Sequence, residues 1–574
     1  MNGAQLLVQA LRANGVDTIF GLPGDTGMAF YDALYHEPAI THIMTRDERS
    51  ASFMADVYAR VSRRLGVCEG PSGGGATYII PGIAEAQGSA IPVLCMTSDT
   101  PVSEDYRNVL TELDQVGLFR PITKWSERVH RASGMEDAVH RAVRLATSDR
   151  PGAVHLSLPA DVLEDESDGT ARYTSGRESD AVPSSRPRAD VSEIERAARL
   201  IEGAERPVIV AGGGVMTSGA WDALTAFAEA TNVPVGTSIN GKGAIAETSP
   251  VSLGVVGGNG ARSYANAWIA ESDLVIFIGT RTDSTTTSHW TLPKRATPPA
   301  SIHLDLASRE IGNTYAASAV LLGDARASLE DLLAAVNVPA VAARNRDRIA
   351  RLADQKDAYF ARVAGEAASD AFPIRPQRLI AALRAALDDD AIIVADPGTP
   401  TPYLSAQYVL NRAGRSMVIP RAYGGLGYSI PGVVGAHYAA PGKRVVSVTT
   451  DGSFGMSVGE LETISRLNLP IVLVHCSNGS FGWIKELQHL DHDQRYFSVD
   501  FSTVDYAGIA RGFGLKAWDV TAAEDLEGTI RAALAHGGPA FVNVPTIPQT
   551  VETPPVSGWE AKVARQRLAA VAAS

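Results

Sequence analysis

The chain has 574 residues, 45% of them hydrophobic and 20% charged, and its 51 basic and 64 acidic side chains leave a net charge of −13. That length exceeds what one hydrophobic core organises and predicts several domains. The acidic balance excludes a general attraction to nucleic acid or an anionic membrane, and no run reaches the roughly 18 apolar residues that a membrane span needs.

The chain opens on a helical spacing, Leu6, Leu7, Ala10 and Leu11, followed by a strand. No basic stretch leads into an apolar one, so this is not a signal peptide, and a soluble cytoplasmic protein is expected. Cys68, Cys95 and Cys476 lie far apart with no CxxC, which predicts buried thiols in a reducing compartment. Helical periodicity then alternates with short apolar strands from end to end, the pattern of an α/β architecture with doubly wound parallel sheets.

Two breaks divide the chain. Residues 166–192 are polar and read as a linker, and residues 341–372, rich in Ala and Arg, read as a helical connector. Three domains follow, 1–165, 193–340 and 373–556, with a tail at 557–574. The outer two echo one another: Ile80-Pro81-Gly82-Ile83 opens a helix before a strand ending at Asp99, and Ile430-Pro431-Gly432-Val433 opens one before a strand ending at Asp451. The expectation is that these domains are diverged copies, and different strand orders would overturn it.

Chemistry concentrates in the third domain. The strand Val445-Val446-Ser447-Val448 runs out into Asp451-Gly452-Ser453, and the strand from Ile471 to His475 runs out into Ser477-Asn478-Gly479-Ser480. Between them Val458, Leu461, Ile464 and Leu467 share a helical face. A βαβ crossover makes the strands parallel, so both end at the edge where α/β sheets bind ligands. As neighbours they lie about 4.8 Å apart, within reach of one cation. A carboxylate with an amide oxygen is too sparse for Ca²⁺ but suits Mg²⁺, which completes its shell with water and phosphate oxygens. Gly452 and Ser453 begin a helix, where free N–H groups meet a phosphate.

This segment resembles the cofactor signature of thiamine diphosphate enzymes, Gly-Asp-Gly followed by Asn-Asn, with Thr450 for the first glycine and Ser477 for the first asparagine. The resemblance implies Asp451, Asn478 and the Ser480 carbonyl as Mg²⁺ ligands and Gly398, Thr399, Gly452, Ser453 and Asn478 around the diphosphate. Arg421-Ala422-Tyr423-Gly424-Gly425-Leu426 resembles the loop beneath the aminopyrimidine, with the Gly424 carbonyl facing the 4′-amino group and Leu426 bending the cofactor. Thr45-Arg46-Asp47-Glu48-Arg49 resembles the stretch holding the activating glutamate, which makes Glu48 the catalytic acid that bonds the pyrimidine ring.

The resemblance spans nearly the whole chain and is strongest to the acetolactate synthase-like branch, in domain order pyrimidine-binding, central and diphosphate-binding. It implies thiamine diphosphate and Mg²⁺, a 2-oxo acid substrate with an aldehyde or ketone as acceptor, and a homodimer or homotetramer with active sites at subunit interfaces. Asp25 falls where 2-oxo acid decarboxylases place a catalytic aspartate, or it caps its own loop. Thr111 stands where synthases carry glutamine, next to the shared Glu112, a further catalytic candidate, and Ala160 stands where they carry lysine, which puts true acetolactate synthesis in doubt. Thr111, Trp483, Ile484 and Gln488 are the substrate-pocket candidates, and Lys485 and His489 could serve a carboxylate or a proton. In flavin-containing relatives FAD occupies positions matching Ala211-Gly212-Gly213-Gly214 and Arg281, but the run is not a full GxGxxG and the balance falls against FAD. The alternatives are a non-decarboxylating lyase, hydrolase or acyl transferase of the same family, a catalytically dead binding protein and, more distantly, a nucleotide-dependent oxidoreductase.

Overall fold

The computed structural model describes residues 1–167 and 182–573. Residues 168–181, the centre of the expected linker, lie outside the described residues. Three six-stranded sheets carry the fold. The first comprises β1 (Thr18–Gly21), β2 (Thr41–Met44), β3 (Gly66–Gly70), β4 (Val93–Asp99), β5 (Trp125–Arg128) and β6 (Ala153–Pro159). The second comprises β7 (Pro207–Ala211), β8 (Val235–Thr237), β9 (Ser252–Val255), β10 (Leu274–Ile278), β11 (Ala300–Asp305) and β12 (Ala319–Leu322). The third comprises β13 (Ile392–Ala395), β14 (Met417–Val418), β15 (Val445–Thr450), β16 (Ile471–Ser477), β17 (Lys516–Asp519) and β18 (Ala540–Pro545).

Strand pairing is parallel, as in β1 with β3, β7 with β10 and β16 with β18. Such strands are covered on both faces and therefore read as continuous apolar runs. Leu274-Val275-Ile276-Phe277-Ile278 is buried at every residue. Cys68, Cys95 and Cys476 are buried free thiols within β3, β4 and β16. Among the described residues no helix is long and apolar enough to cross a membrane.

The first sheet runs β2-β1-β3-β4-β6-β5 and the third runs β14-β13-β15-β16-β18-β17. Counted within each sheet, the two orders are identical, so the duplication passes its test. The short Ile-Pro-Gly echo does not mark equivalent places, however. The helix Ile80–Ser89 joins the third and fourth strands of its sheet, whereas Ser429–Ala439 joins the second and third of its own. The true counterpart of Ser429–Ala439 is the helix Glu48–Ser62, between β2 and β3, and these two helices pack against each other. Phe53 meets Tyr428 edge-on at their contact, 5.1 Å between ring centres. The second sheet has a different order, β12-β11-β10-β7-β8-β9, that of a dinucleotide-binding fold.

The chain forms two compact units, residues 1–185 with 420–447 and 455–471, and residues 186–419 with 448–454 and 472–574. The helix Val338–Ala367, in the second unit, carries residues 341–367 of the expected connector, and 368–372 lie beyond its end. That unit contains a buried ionic knot: Lys242 Nζ donates to both Glu247 oxygens at 2.7 and 2.8 Å and to the Ser405 carbonyl at 3.0 Å. Arg262 adds a second cation 3.3 Å from Glu247. The segment expected as one amphipathic helix between β15 and β16 is two, Asp451–Ser457 and Glu460–Arg466, with Leu461 and Ile464 buried on the second.

Candidate active site

The edge of the third sheet shows how the two polar strand ends work together. β15 leads directly into the helix beginning at Asp451, and β16, its neighbour, ends at Ser477. Asp451 Oδ2 accepts the N–H of Asn478 at 2.8 Å and that of Gly479 at 2.9 Å. Its Oδ1 faces Nε2 of the buried His475 at 3.2 Å. Burial opposes the charge on Asp451, but the hydrogen bonds and the imidazole outweigh it and hold the carboxyl below the ordinary aspartate range. Asp451 is thus a fixed anion.

Around it, Asn478 Oδ1 accepts the Ser480 hydroxyl at 3.1 Å, and the Gly452 backbone lies against the Phe481 ring. A methyl on Gly482 would stand 3.1 Å from Thr399 Oγ1 and 3.4 Å from Asn478 Nδ2, so those side chains flank one glycine. Gly398 and Gly479 take left-handed φ angles of 106° and 69°, and open space faces the position of a side chain at both. Among the described residues no cluster of three His, Cys, Asp or Glu side chains could hold a metal. A metal here would therefore draw on amide and carbonyl oxygens, as an Asp451, Asn478 and Ser480 set does. A fixed carboxylate, an amide oxygen beside it and two glycines over open space fit Mg²⁺ on a diphosphate.

The pocket candidates beyond Asn478 lie on the helix Gly482–Asp491, where most have partners of their own. Trp483 stacks obliquely on Trp559 at 4.4 Å. Gln488 clamps the Phe497 backbone, donating to its carbonyl at 3.0 Å and accepting its N–H at 2.9 Å. Lys485 pairs with Asp500 at 2.6 Å and His489 Nδ1 meets the Tyr496 hydroxyl at 2.7 Å. Ile484 is half exposed.

Sequence reasoning missed two buried residues at this edge. His475 reads as one more strand residue until its contact with Asp451 is seen. Glu486 is fully buried, with one oxygen accepting the Thr553 hydroxyl at 3.1 Å and the other unpartnered. Burial pushes its carboxyl up to about 7. A carboxyl raised in the folded state contributes stability that is fully present below its unfolded value and is lost as pH rises through the folded one. Stability should therefore decline between about pH 4.5 and pH 7 on this account. Glu486→Gln should melt higher than wild type at pH 8, on the order of a few degrees, and equally at pH 4.5. Thermal melts across that range check it, and equal melting at pH 8 would refute it.

In the first unit Glu48 is the first residue of the helix Glu48–Ser62, capped by Asp47, whose side chain accepts the Arg49 N–H. Glu48 is buried, and its Oε1 lies 3.1 Å from where a side chain on Gly75 would begin. Burial raises its pKa, its own backbone N–H opposes this, and the nearby charges of Asp47 and Glu69 raise it further. That favours the protonated acid. Gly24 and Gly75 both lie against the Pro71 ring, which brings the Asp25 loop towards Glu48. Thr26 Oγ1 lies 3.0 Å from Ser72 Oγ, and Ser72 Oγ lies 2.8 Å from Thr111 Oγ1, linking three loops by hydroxyls.

Asp25 itself is exposed and accepts the Thr26 N–H at 2.9 Å, the geometry of a loop cap. Glu112 is exposed and accepts the N–H groups of Tyr106 at 2.8 Å and Val109 at 3.1 Å, tying its own loop. Gly424, with φ of 68°, and Leu426 are half-buried in the loop before the helix Ser429–Ala439. In the second sheet a side chain on Gly214 would clash with the Gly279 backbone at 2.6 Å. Close packing of the β7 and β10 ends accounts for that glycine and carries no argument for a flavin.

Comparison with known proteins agrees with this geometry. Residues 1–118 match the family described as thiamine pyrophosphate enzyme, N-terminal TPP binding domain. Residues 194–332 match its central domain and residues 396–544 its C-terminal TPP binding domain. A probable acetolactate synthase large subunit of Methanocaldococcus jannaschii is 34% identical over 95% of this chain and 92% of its own length. A similar subunit of Methanococcus aeolicus is 32% identical over 93% of this chain and 90% of its own. The acetolactate synthase isozyme 2 large subunit of Escherichia coli K12 is 31% identical over 95% of both chains. With three matching domains and relatives similar along almost its entire length, the chain belongs to the thiamine pyrophosphate enzyme family.

Proposed function

We propose that this protein is a thiamine diphosphate- and Mg²⁺-dependent enzyme that decarboxylates a 2-oxo acid and joins the remaining fragment to a carbonyl acceptor, as an acetolactate synthase-like carboligase does. The observation that carries the reading is the tie between the two strand ends, the Asn478 N–H on Asp451 at 2.8 Å, in a chain of this family. When bound, thiamine diphosphate supplies a nucleophilic carbon and an electron sink for loss of CO₂. Asp451, Asn478 and the Ser480 carbonyl would hold Mg²⁺, with Gly398, Thr399, Gly452 and Ser453 around the diphosphate. Gly424 and Leu426 would position the pyrimidine, and Glu48, whose pKa burial and the nearby charges of Asp47 and Glu69 raise, would exchange a proton with its ring nitrogen.

Thr111 and Ile484 are the pocket positions we assign to substrate. Trp483 would act with Trp559 as a wall, and Gln488 as a brace for the Phe497 segment. Asp25 and Glu112 would order their loops beside Glu48. The same reading carries a homodimer or homotetramer, to be checked by light scattering, and it does not call on FAD. The domain limits 1–165, 193–340 and 373–556 are part of the proposal.

The test is to incubate the protein with Mg²⁺, thiamine diphosphate and a panel of 2-oxo acids, singly and with aldehydes, following CO₂ and identifying products by mass spectrometry. At least one 2-oxo acid should release CO₂ and yield a coupled product. Carbon–carbon cleavage without CO₂ from any of them would replace this reading by a non-decarboxylating lyase.

A further inference from the structure

Glu85, on the helix Ile80–Ser89, was singled out by no motif, yet it makes a dense set of polar contacts in the first unit. Its Oε1 accepts the backbone N–H of Arg421 at 3.0 Å and of Ala422 at 3.1 Å. Its Oε2 accepts the N–H of Ala422 at 3.2 Å, of Tyr423 at 2.7 Å and of Gly424 at 3.2 Å. Four successive backbone donors thus converge on one carboxylate, a concave anion nest whose anion is a side chain.

The carboxylate is itself anchored. Arg60 Nη2 donates to Oε1 at 3.1 Å and the Ser89 hydroxyl donates at 2.8 Å. Arg60 Nε also donates to Asp56 at 2.8 Å, and Asp56 receives the Tyr428 hydroxyl at 2.5 Å from the far end of the same loop. Burial opposes the charge on Glu85, but Arg60 and the Tyr423 N–H outweigh it and keep the carboxyl below its ordinary range. The approach is so close that a side chain on Gly88 would meet Ala422 Cβ at 2.6 Å. Asp56 and Arg60 stand one turn apart on the Glu48 helix, so that helix also braces the loop holding Gly424 and Leu426.

We propose that Glu85 is a positioning residue for the cofactor: by fixing the peptide planes that end at Gly424, it sets the loop on which the aminopyrimidine rests. The inference rests on the assignment of that loop to the pyrimidine. It predicts that Glu85 governs binding of the whole cofactor and not of its diphosphate end, whose proposed contacts Glu85 does not touch. The competing role is structural, a partner for the buried Arg60, and it would affect both alike.

The experiment measures calorimetric affinity for thiamine diphosphate and for inorganic diphosphate, each with Mg²⁺, in wild type, Glu85→Gln and Glu85→Asp. In Glu85→Gln the thiamine diphosphate Kd should rise about tenfold or more, the scale of losing charge-assisted hydrogen bonds. Inorganic diphosphate should bind as before, and the amides of residues 421–424 should exchange hydrogen faster. Glu85→Asp keeps the charge on Arg60 but withdraws from the loop, so it should fall between; it carries the test alone if the glutamine variant does not fold. Unchanged thiamine diphosphate affinity, or equal loss of both ligands, would overturn the inference. A wild type that binds thiamine diphosphate but releases no CO₂ from any 2-oxo acid would overturn the proposed reaction and leave the Glu85 result standing.

Discussion

Glu48→Gln should lower turnover by about 10²- to 10⁴-fold, the usual contribution of a positioned acid–base group, while thiamine diphosphate still binds. The substitution keeps the shape of a side chain that lies buried over Gly70 and Gly75, so neither the helix start nor the Asp47 cap is disturbed. What changes is the proton. A carboxyl whose pKa is raised by burial and by the charges of Asp47 and Glu69 holds its proton to higher pH than an exposed glutamate. An amide has no such proton to exchange. The pH–rate limb belonging to Glu48 should also vanish in the variant. Initial rates of CO₂ release between pH 5 and pH 9, with calorimetric cofactor binding alongside, decide the matter. Wild-type turnover in Glu48→Gln would remove Glu48 from the chemistry. Loss of cofactor binding together with turnover would make its role one of binding.

The parts of the site that could be read from sequence are those written within one strand–helix–strand unit. Asp451 and Asn478 are 27 residues apart, and the apolar strands on either side sufficed to place their ends together. The α/β class and the repeated domain were legible for the same reason, since buried parallel strands are continuous apolar runs. The Glu85 contacts were not legible, because its partners lie 336 to 339 residues away and nothing in Ile80–Ser89 distinguishes its glutamate from a solvated one. Gln488 and Lys485 carry contacts that sequence did not announce. Polar residues following a cofactor motif suggest a pocket, and the structure adds that they hold the Phe497 backbone and Asp500. The Ile-Pro-Gly echo misled because three residues at a helix start record local backbone geometry, whereas equivalence between domains is a property of strand order. That order pairs the Glu48 helix with Ser429–Ala439. The most heavily braced part of the first unit is thus the contact between two equivalent helices.

Asp451→Asn should weaken Mg²⁺-dependent cofactor binding by at least on the order of 100-fold without unfolding the protein. Removing a group that merely orients a metal ligand costs about 10- to 100-fold, and loss of the sole carboxylate in the set should cost no less. The fold survives because each partner of Asp451 can still be satisfied. The carboxamide oxygen of the variant replaces Oδ2 for the N–H groups of Asn478 and Gly479, and its NH₂ turns towards His475, whose Nε2 accepts in the other tautomer. Asp451→Ala has no such recourse. It strands two partly buried N–H groups and the buried imidazole, at up to about 1–3 kcal/mol for each donor left unmet, so it should lose stability as well as cofactor. Calorimetric titration of thiamine diphosphate at several Mg²⁺ concentrations, with denaturant unfolding of the same proteins, separates the two effects. If Asp451→Asn bound cofactor with the wild-type Mg²⁺ dependence, Asp451 would be a structural clasp between strand ends and the metal would have to be sought elsewhere.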